Sequence, residues 1–307
     1  MAVRPERVPA EEVRKRMLDA GRELALEVGA TLTIEHLRLE EVIQRARVPR
    51  SSVYRMWPYR EDYIDDLLCY LAGAGSWFSD RTVLDPETFV VAQKTIVDNT
   101  HLLASPEGRR ALMREVLRLA TTGNYRSLSE SAPWRLHMAL ASTLGSTRSG
   151  EARNRIAAAL EDSQRRSRDA IVTVYGYLAD AIGLRLRDPA WSASHMQLAG
   201  GLLVQSMALR NVQVKAALGT DTAGTDTAST DTAGTVTPSA DADNDTDAKA
   251  NAALVDTLLN TPLPGPGLNG EPAMWTLASF AYLGLFEAFV ELDPDFVPPG
   301  ASPASTP

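Results

Sequence analysis

Between Arg45 and Arg60 the chain carries five arginines (Arg45, Arg47, Arg50, Arg55, Arg60) and no acidic residue, interleaved with Ser51, Ser52 and the aromatics Tyr54, Trp57 and Tyr59. Guanidinium groups at this density suit one chemistry above others: charge-assisted hydrogen bonds to phosphate and bidentate bonds to the O6 and N7 edge of guanine. Over its 307 residues the protein is acidic, with a formal net charge of −8, so the window carries +5 and the remainder −13. Opposite signs are segregated. Arginine alone is a weak signal here, because the chain uses 27 Arg against 4 Lys wherever it needs a cation. What adds weight is the spacing.

In VPRSSVYRMW, Val53 and Trp57 lie four apart and share an inward face with Val48, while Arg50, Ser51, Tyr54 and Arg55 occupy the opposite face. Pro49 suits the first turn of this helix. A short helix over 39–46 precedes it, turning Leu39, Val42, Ile43 and Ala46 inward. Val13, Met17, Ala20, Leu24 and Val28 form the apolar stripe of a helix over 11–28, which Gly29 ends. After Pro58 a fourth helix begins, with Glu61 and Asp62 at its positive end and Ile64, Leu67, Leu68 and Leu71 inward. Two short helices joined by a tight turn hold the second one out from the protein body, which fits a major groove about 12 Å wide. Arg50 is placed for a guanine edge, Ser51 lets the backbone approach, and Tyr54 and Arg55 face the phosphate walls. About five phosphate contacts per subunit imply a salt slope of roughly −4 to −5 per half-site.

Residues 11–71 resemble the N-terminal domain of the TetR family of transcriptional regulators. The family pattern around its recognition helix is matched by VIQRARVPRSSVYRMWPYREDY, with Ala46, Val48, Ser52, Val53, Tyr54, Trp57, Arg60 and Glu61 in the positions the pattern requires. The resemblance implies groove and backbone contacts for Arg50, Ser51, Ser52 and Tyr54, and gives Arg60 the role of the family's phosphate-binding lysine. The expected DNA-contacting set is therefore Arg47, Pro49, Arg50, Ser51, Ser52, Tyr54, Arg55 and Arg60. Three features depart from the pattern. Arg47 stands where glycine usually makes a left-handed turn, Pro49 replaces a capping Ser or Thr, and the connection GATLTIEHLRLEEV is longer than usual.

The remaining chain reads as helices over roughly 86–104, 106–122, 125–145, 150–186 and 189–217, with no alternating strand pattern. The pentad repeat TDTAG TDTAS TDTAG matches no helix face or strand, so 219–250 is expected to be a disordered linker. A last helix over 272–291 is apolar nearly all round, and 292–307 reads as a loose tail. The expected fold is all-α: a three-helix helix-turn-helix DNA-binding domain over 11–71, then a helical-bundle domain over 75–218 plus 272–291. The resemblance implies that this second domain pairs two subunits and encloses a ligand. Pairing is expected through the last helix and 189–217, where Ala199, Gly200 and Gly201 allow close approach and Met196, Leu203 and Met207 pack. Plain internal core is the other reading of those positions. Trp134, His137, Met138, Tyr175 and Tyr177 are the candidate ligand contacts, since they combine aromatic surface with polar tips.

Other chemistries find little support. His36, His101 and His195 are scattered without metal-ligand spacing, and no cofactor is expected. No nucleophile elbow, glycine-rich phosphate loop or HExxH motif occurs, so no enzyme is expected. Cys69, the single cysteine, lies on the apolar side of a helix and is expected to pack rather than react. No membrane-length apolar run and no secretory leader are read, which places the protein in the cytoplasm. The expected function is a ligand-responsive regulator, acting as a repressor, that binds a double-stranded operator as a homodimer and answers to an unidentified small-molecule effector. The alternative is a helical small-molecule-binding or interaction module whose reading head has degenerated through Arg47 and Pro49.

Overall fold

The computed structural model describes residues 9–27, 37–73, 86–144, 150–220 and 241–299. Within them the protein is predominantly helical and divides into two compact units, Met1–Thr82 with Ser131–Ser167, and Val83–Glu130 with Arg168–Pro307. Ser131–Ser167 thus belongs to the first unit, whereas the sequence reading assigned it to the second domain. The expected cap at Gly29, the residue His36, the core of the pentad repeat over 221–240 and the tail over 300–307 lie outside the described residues.

The first unit contains α1 (Ala10–Glu27), α2 (Leu39–Ala46), α3 (Arg50–Met56), α4 (Arg60–Ala72), α7 (Ala132–Thr143) and the opening turns of α8 (Gly150–Ile182). Its core gathers Val13, Met17 and Leu24 of α1, Val42 and Ile43 of α2, Val53 and Trp57, and Tyr63, Leu67 and Leu71 of α4. Leu136 and Leu140 of α7 and Ile156 and Leu160 of α8 complete it. Gly21 lets α1 and α4 touch, since a Cβ there would lie 2.2 Å from the Tyr63 hydroxyl oxygen. That hydroxyl donates to the Met17 carbonyl at 3.0 Å, and burial pushes its pKa well up. Asp66 is a polar hub in the same unit. Its carboxylate accepts from Arg14 at 3.2 Å and from the Trp57 indole N–H at 3.1 Å, and pairs with Arg155 at 3.6 Å. Cys69 is half-buried and burial raises its thiol pKa, which disfavours the reactive thiolate.

The second unit is built from α5 (Pro86–Asp98), a 3₁₀ turn (Thr100–Ala104), α6 (Pro106–Glu130), the C-terminal part of α8, α9 (Ala193–Leu218), α10 (Asp241–Asn260) and α11 (Leu277–Phe289). Helix α6 packs on α5, α9 and α11. Capping boxes start α9 at Ser192 with His195 and α11 at Thr276 with Ser279. Four short strands occur where the sequence reading expected none. β1 (Leu184–Leu186) pairs antiparallel with β4 (Val290–Leu292), and β2 (Leu263–Pro266) with β3 (Pro272–Trp275). Runs of three or four residues are too short for alternation to register.

Two segments expected to be loose are ordered. Residues 241–250, inside the expected linker, open α10, which packs on α9, buries Ala252 and Leu259 and donates a hydrogen bond from the Asn260 side-chain amide to Oδ1 of buried Asn211 at 3.1 Å. Within the expected tail, the Asp293 amide donates to the Gly183 carbonyl at 2.8 Å. The buried Arg109 guanidinium donates to the Gly183 and Asp293 carbonyls at 3.2 and 3.0 Å and stacks 4.9 Å from the Phe296 ring centroid. Phe296 is a ring contact that the sequence DPDFVPP did not advertise.

Candidate functional site

The arginine window folds as two short helices joined by three residues. Arg47 ends α2 in the left-handed region at φ 53°, ψ 45°, and it is the one non-glycine residue with positive φ among the described residues. Holding an L-residue there costs roughly 1–2 kcal/mol, so the turn that glycine usually makes is kept despite the arginine. Pro49 precedes α3 in an extended conformation (φ −66°, ψ 129°), and its carbonyl accepts from the Ser52 and Val53 amides at 3.0 and 3.3 Å. No side chain caps this helix. Val53 and Trp57 are 0% and 2% exposed and Val48 is buried, so the inward face is the one that the spacing indicates.

Arg47, Pro49, Arg50, Ser51, Tyr54 and Arg55 are exposed, while Ser52 is half-buried. The cations in this window have different environments. Arg45 is committed to Glu27 by a 2.5 Å ion pair, which holds the Glu27 carboxyl below its ordinary range. Arg60, half-buried, gives its Nε and one terminal nitrogen to the Leu37 carbonyl at 3.3 and 3.0 Å. Two of its donors thus reach back to the chain ahead of α2, the side on which the resemblance implies a flanking phosphate contact being untouched by these bonds. Tyr54 donates to Glu40 at 3.3 Å, which ties its phenol to α2 rather than leaving it to a phosphate wall. The side chains of Arg47, Arg50 and Arg55 form no ion pair or hydrogen bond among the described residues. Three unspent cations replace the five counted in the sequence.

The five expected ligand contacts are divided between the two units. Trp134, His137 and Met138 sit on α7 in the first unit, and Tyr175 and Tyr177 sit on α8 in the second. Trp134 is fully buried, with no hydrogen-bond partner for its indole N–H among the described residues. Met138 is half-buried, and Tyr177 is exposed, in ring contact with Phe89 and accepting from Gln93 at 3.4 Å. Residue type indicated an amphipathic tip, but helical spacing alone does not say which side of α7 or α8 meets a cavity.

His137 is buried, and burial lowers its pKa from 6.5 to about 4. Between those values the unfolded chain holds a proton that the folded one refuses, so stability falls as pH falls. Roughly 3 kcal/mol is expected to be lost between pH 7.5 and pH 4, and His137→Gln should remove most of that slope in urea titrations at the two pH values. An equal slope in both proteins would contradict a neutral, buried imidazole.

Tyr175 does line a cavity, which lies wholly in the second unit among α5, α6, α8, α9 and α11. Its volume is about 90 Å³. The sequence reading missed the other polar members of its wall, Thr88, Thr121, Asn124, Gln197 and Tyr282. Gly200 was the available signal, and it has a different use from the one expected. A Cβ there would lie 2.2 Å from the Tyr282 ring, so the glycine admits that ring within one protomer, and Met196 beside it is also buried. Leu198 and Leu202, one turn apart on α9, and Phe280 on α11 are exposed instead. Among the described residues no helix is long and apolar enough to cross a membrane, and no cluster of His, Cys, Asp or Glu could hold a metal ion. Compared with protein-family models, curated proteins and solved structures, the chain matches none.

Proposed function

We propose that the protein is a ligand-responsive transcriptional repressor of the TetR kind, which binds a double-stranded DNA operator as a homodimer. One observation carries the reading: α3 is seated on buried Val53 and Trp57 while Arg47 in the turn, Arg50 at the start of α3 and Arg55 within it are exposed, their side chains without partners among the described residues. A cationic helix with an apolar seat is what insertion between two phosphate walls requires. Arg50, at the first position of α3, reads guanine O6 and N7 through its planar fork, and Ser51 lets the backbone approach the groove. Arg47 and Arg55 hold phosphates. A second copy is needed because one short helix reads few base pairs, and exposed Leu198, Leu202 and Phe280 offer apolar surface for pairing. The effector acts by binding the DNA-incompetent population more tightly, and operator affinity falls by that difference.

Fluorescence anisotropy with duplexes tiled from the region upstream of the gene tests this reading. With Arg47 and Arg55 on phosphates in each protomer, the expected slope of log K against log salt is roughly −2 per half-site, shallower than five contacts would give. Arg50→Ala is expected to cost roughly 1–3 kcal/mol per half-site on the preferred duplex and little on unrelated DNA. If wild type and Arg50→Ala bind every duplex alike, α3 does not read sequence.

A further inference from the structure

We infer that the cavity of the second unit takes an uncharged, mainly apolar molecule bearing a hydrogen-bond acceptor such as a ketone, ester or ether oxygen, which the paired hydroxyls of Tyr175 and Tyr282 receive. The inference rests on the proposed reading of this unit as the one that answers to an effector. It specifies the chemistry of that effector, which nothing in the reading head determines.

The cavity is large enough for a ligand: one buried water needs roughly 10–15 Å³, against about 90 Å³ here. Its wall is mostly aliphatic and aromatic, including Val116, Leu178, Ile182, Val204 and Phe286, and it contains no charged side chain. A carboxylate or ammonium entering it would lose its hydration with no opposite charge to replace it, a penalty that excludes ions from such sites. An apolar body loses nothing of the kind.

The polar end is defined by the two phenols. Their oxygens lie 2.5 Å apart, so one hydroxyl donates to the other. The accepting hydroxyl keeps its own proton, and no acceptor for it exists among the described residues. Burial raises the pKa of both phenols, which keeps the pair protonated and donating at neutral pH. An O–H aimed at nothing in an apolar site costs free energy that a ligand oxygen recovers on binding. Gly200 holds the Tyr282 ring in place, since any side chain there would displace it. Polar capacity is also unspent nearby. The Thr88 hydroxyl, buried in the wall, has no partner, and the Asn124 and Gln197 amides make no side-chain hydrogen bond among the described residues.

Isothermal titration of the full-length protein at pH 7.5, without DNA, distinguishes the classes with 2-hexanone, hexanoate, hexylamine and toluene as probes. The expected result is that 2-hexanone binds at least about tenfold more tightly than hexanoate or hexylamine. In Tyr175→Phe/Tyr282→Phe its affinity drops roughly fivefold or more while toluene binding is unchanged, which also shows that the variant keeps its cavity. Hexanoate or hexylamine binding as tightly as 2-hexanone overturns the inference, and so does failure of all four probes to bind. The wild-type comparison stands even if the double variant does not fold. Adding 2-hexanone to the DNA titration separates the two proposals: binding in the cavity with no effect on DNA affinity overturns the effector reading and leaves the ligand class intact.

Discussion

Replacing Trp57 by alanine is expected to lower the stability of the first unit by roughly 3–5 kcal/mol, the range for removing a large aromatic side chain from a packed interior. The indole is 2% exposed, meets the Tyr63 ring edge-on at 5.3 Å and donates to Asp66. Truncation would remove the packed surface, the ring contact and one hydrogen bond together. Trp57→Phe keeps most of the surface and loses the N–H, so it should cost about 1–2 kcal/mol. Urea unfolding followed by circular dichroism measures both. On the proposed reading, operator affinity should fall with the alanine variant, since Trp57 is the largest of the residues that seat α3. A loss below about 1 kcal/mol for alanine would mean that Trp57 is not the seat of α3.

Arg109→Met is expected to destabilise the second unit by roughly 2–4 kcal/mol, although methionine fills much of the same space. The guanidinium joins two carbonyls, of Gly183 and Asp293, and stacks on Phe296. Each carbonyl keeps one backbone bond without it, Gly183 from the Asp293 amide and Asp293 from the Phe296 amide, but both would lose the guanidinium they share. Arg109→Lys should rescue only part, because an ammonium can serve two carbonyls as the single donating Nη1 does but has no plane to stack on Phe296. Hydrogen exchange should show the β1–β4 amides opening first. Protection of those amides at the wild-type level in Arg109→Met would remove the clamp from the account.

How far the sequence could be read depended on periodicity. Helix α2 was legible to the residue, because Leu39, Val42, Ile43 and Ala46 form a complete apolar stripe, and all four are buried. The same held for Val53 and Trp57 behind α3. Charge was legible only as a sum. That Arg45 is spent on Glu27 and Arg60 on the Leu37 carbonyl depends on contacts across 18 and 23 residues, which spacing along one helix does not encode. Helix α10 was missed because its first half, with four Asp, one Asn and one Thr, has intrinsic preferences that favour caps and turns, and packing on α9 overrides them. Of the five candidate ligand contacts, Tyr175 alone lines the cavity, for a related reason. Trp134 and His137 have the composition of a ligand site but are enclosed in the first unit, whereas Tyr282 lay in a stretch so apolar that its hydroxyl went unremarked.

Asp66 carries a consequence for mechanics. One carboxylate ties the start of α1 through Arg14, the end of α3 through Trp57 and the first turns of α8 through Arg155. Strain applied to α8 therefore need not travel through soft apolar packing to be felt beside the arginine-bearing helix, because it shares a rivet with it. Cutting that rivet, as Asp66→Asn would by removing the charge that both guanidiniums clasp, leaves apolar packing alone to hold the three helices in register.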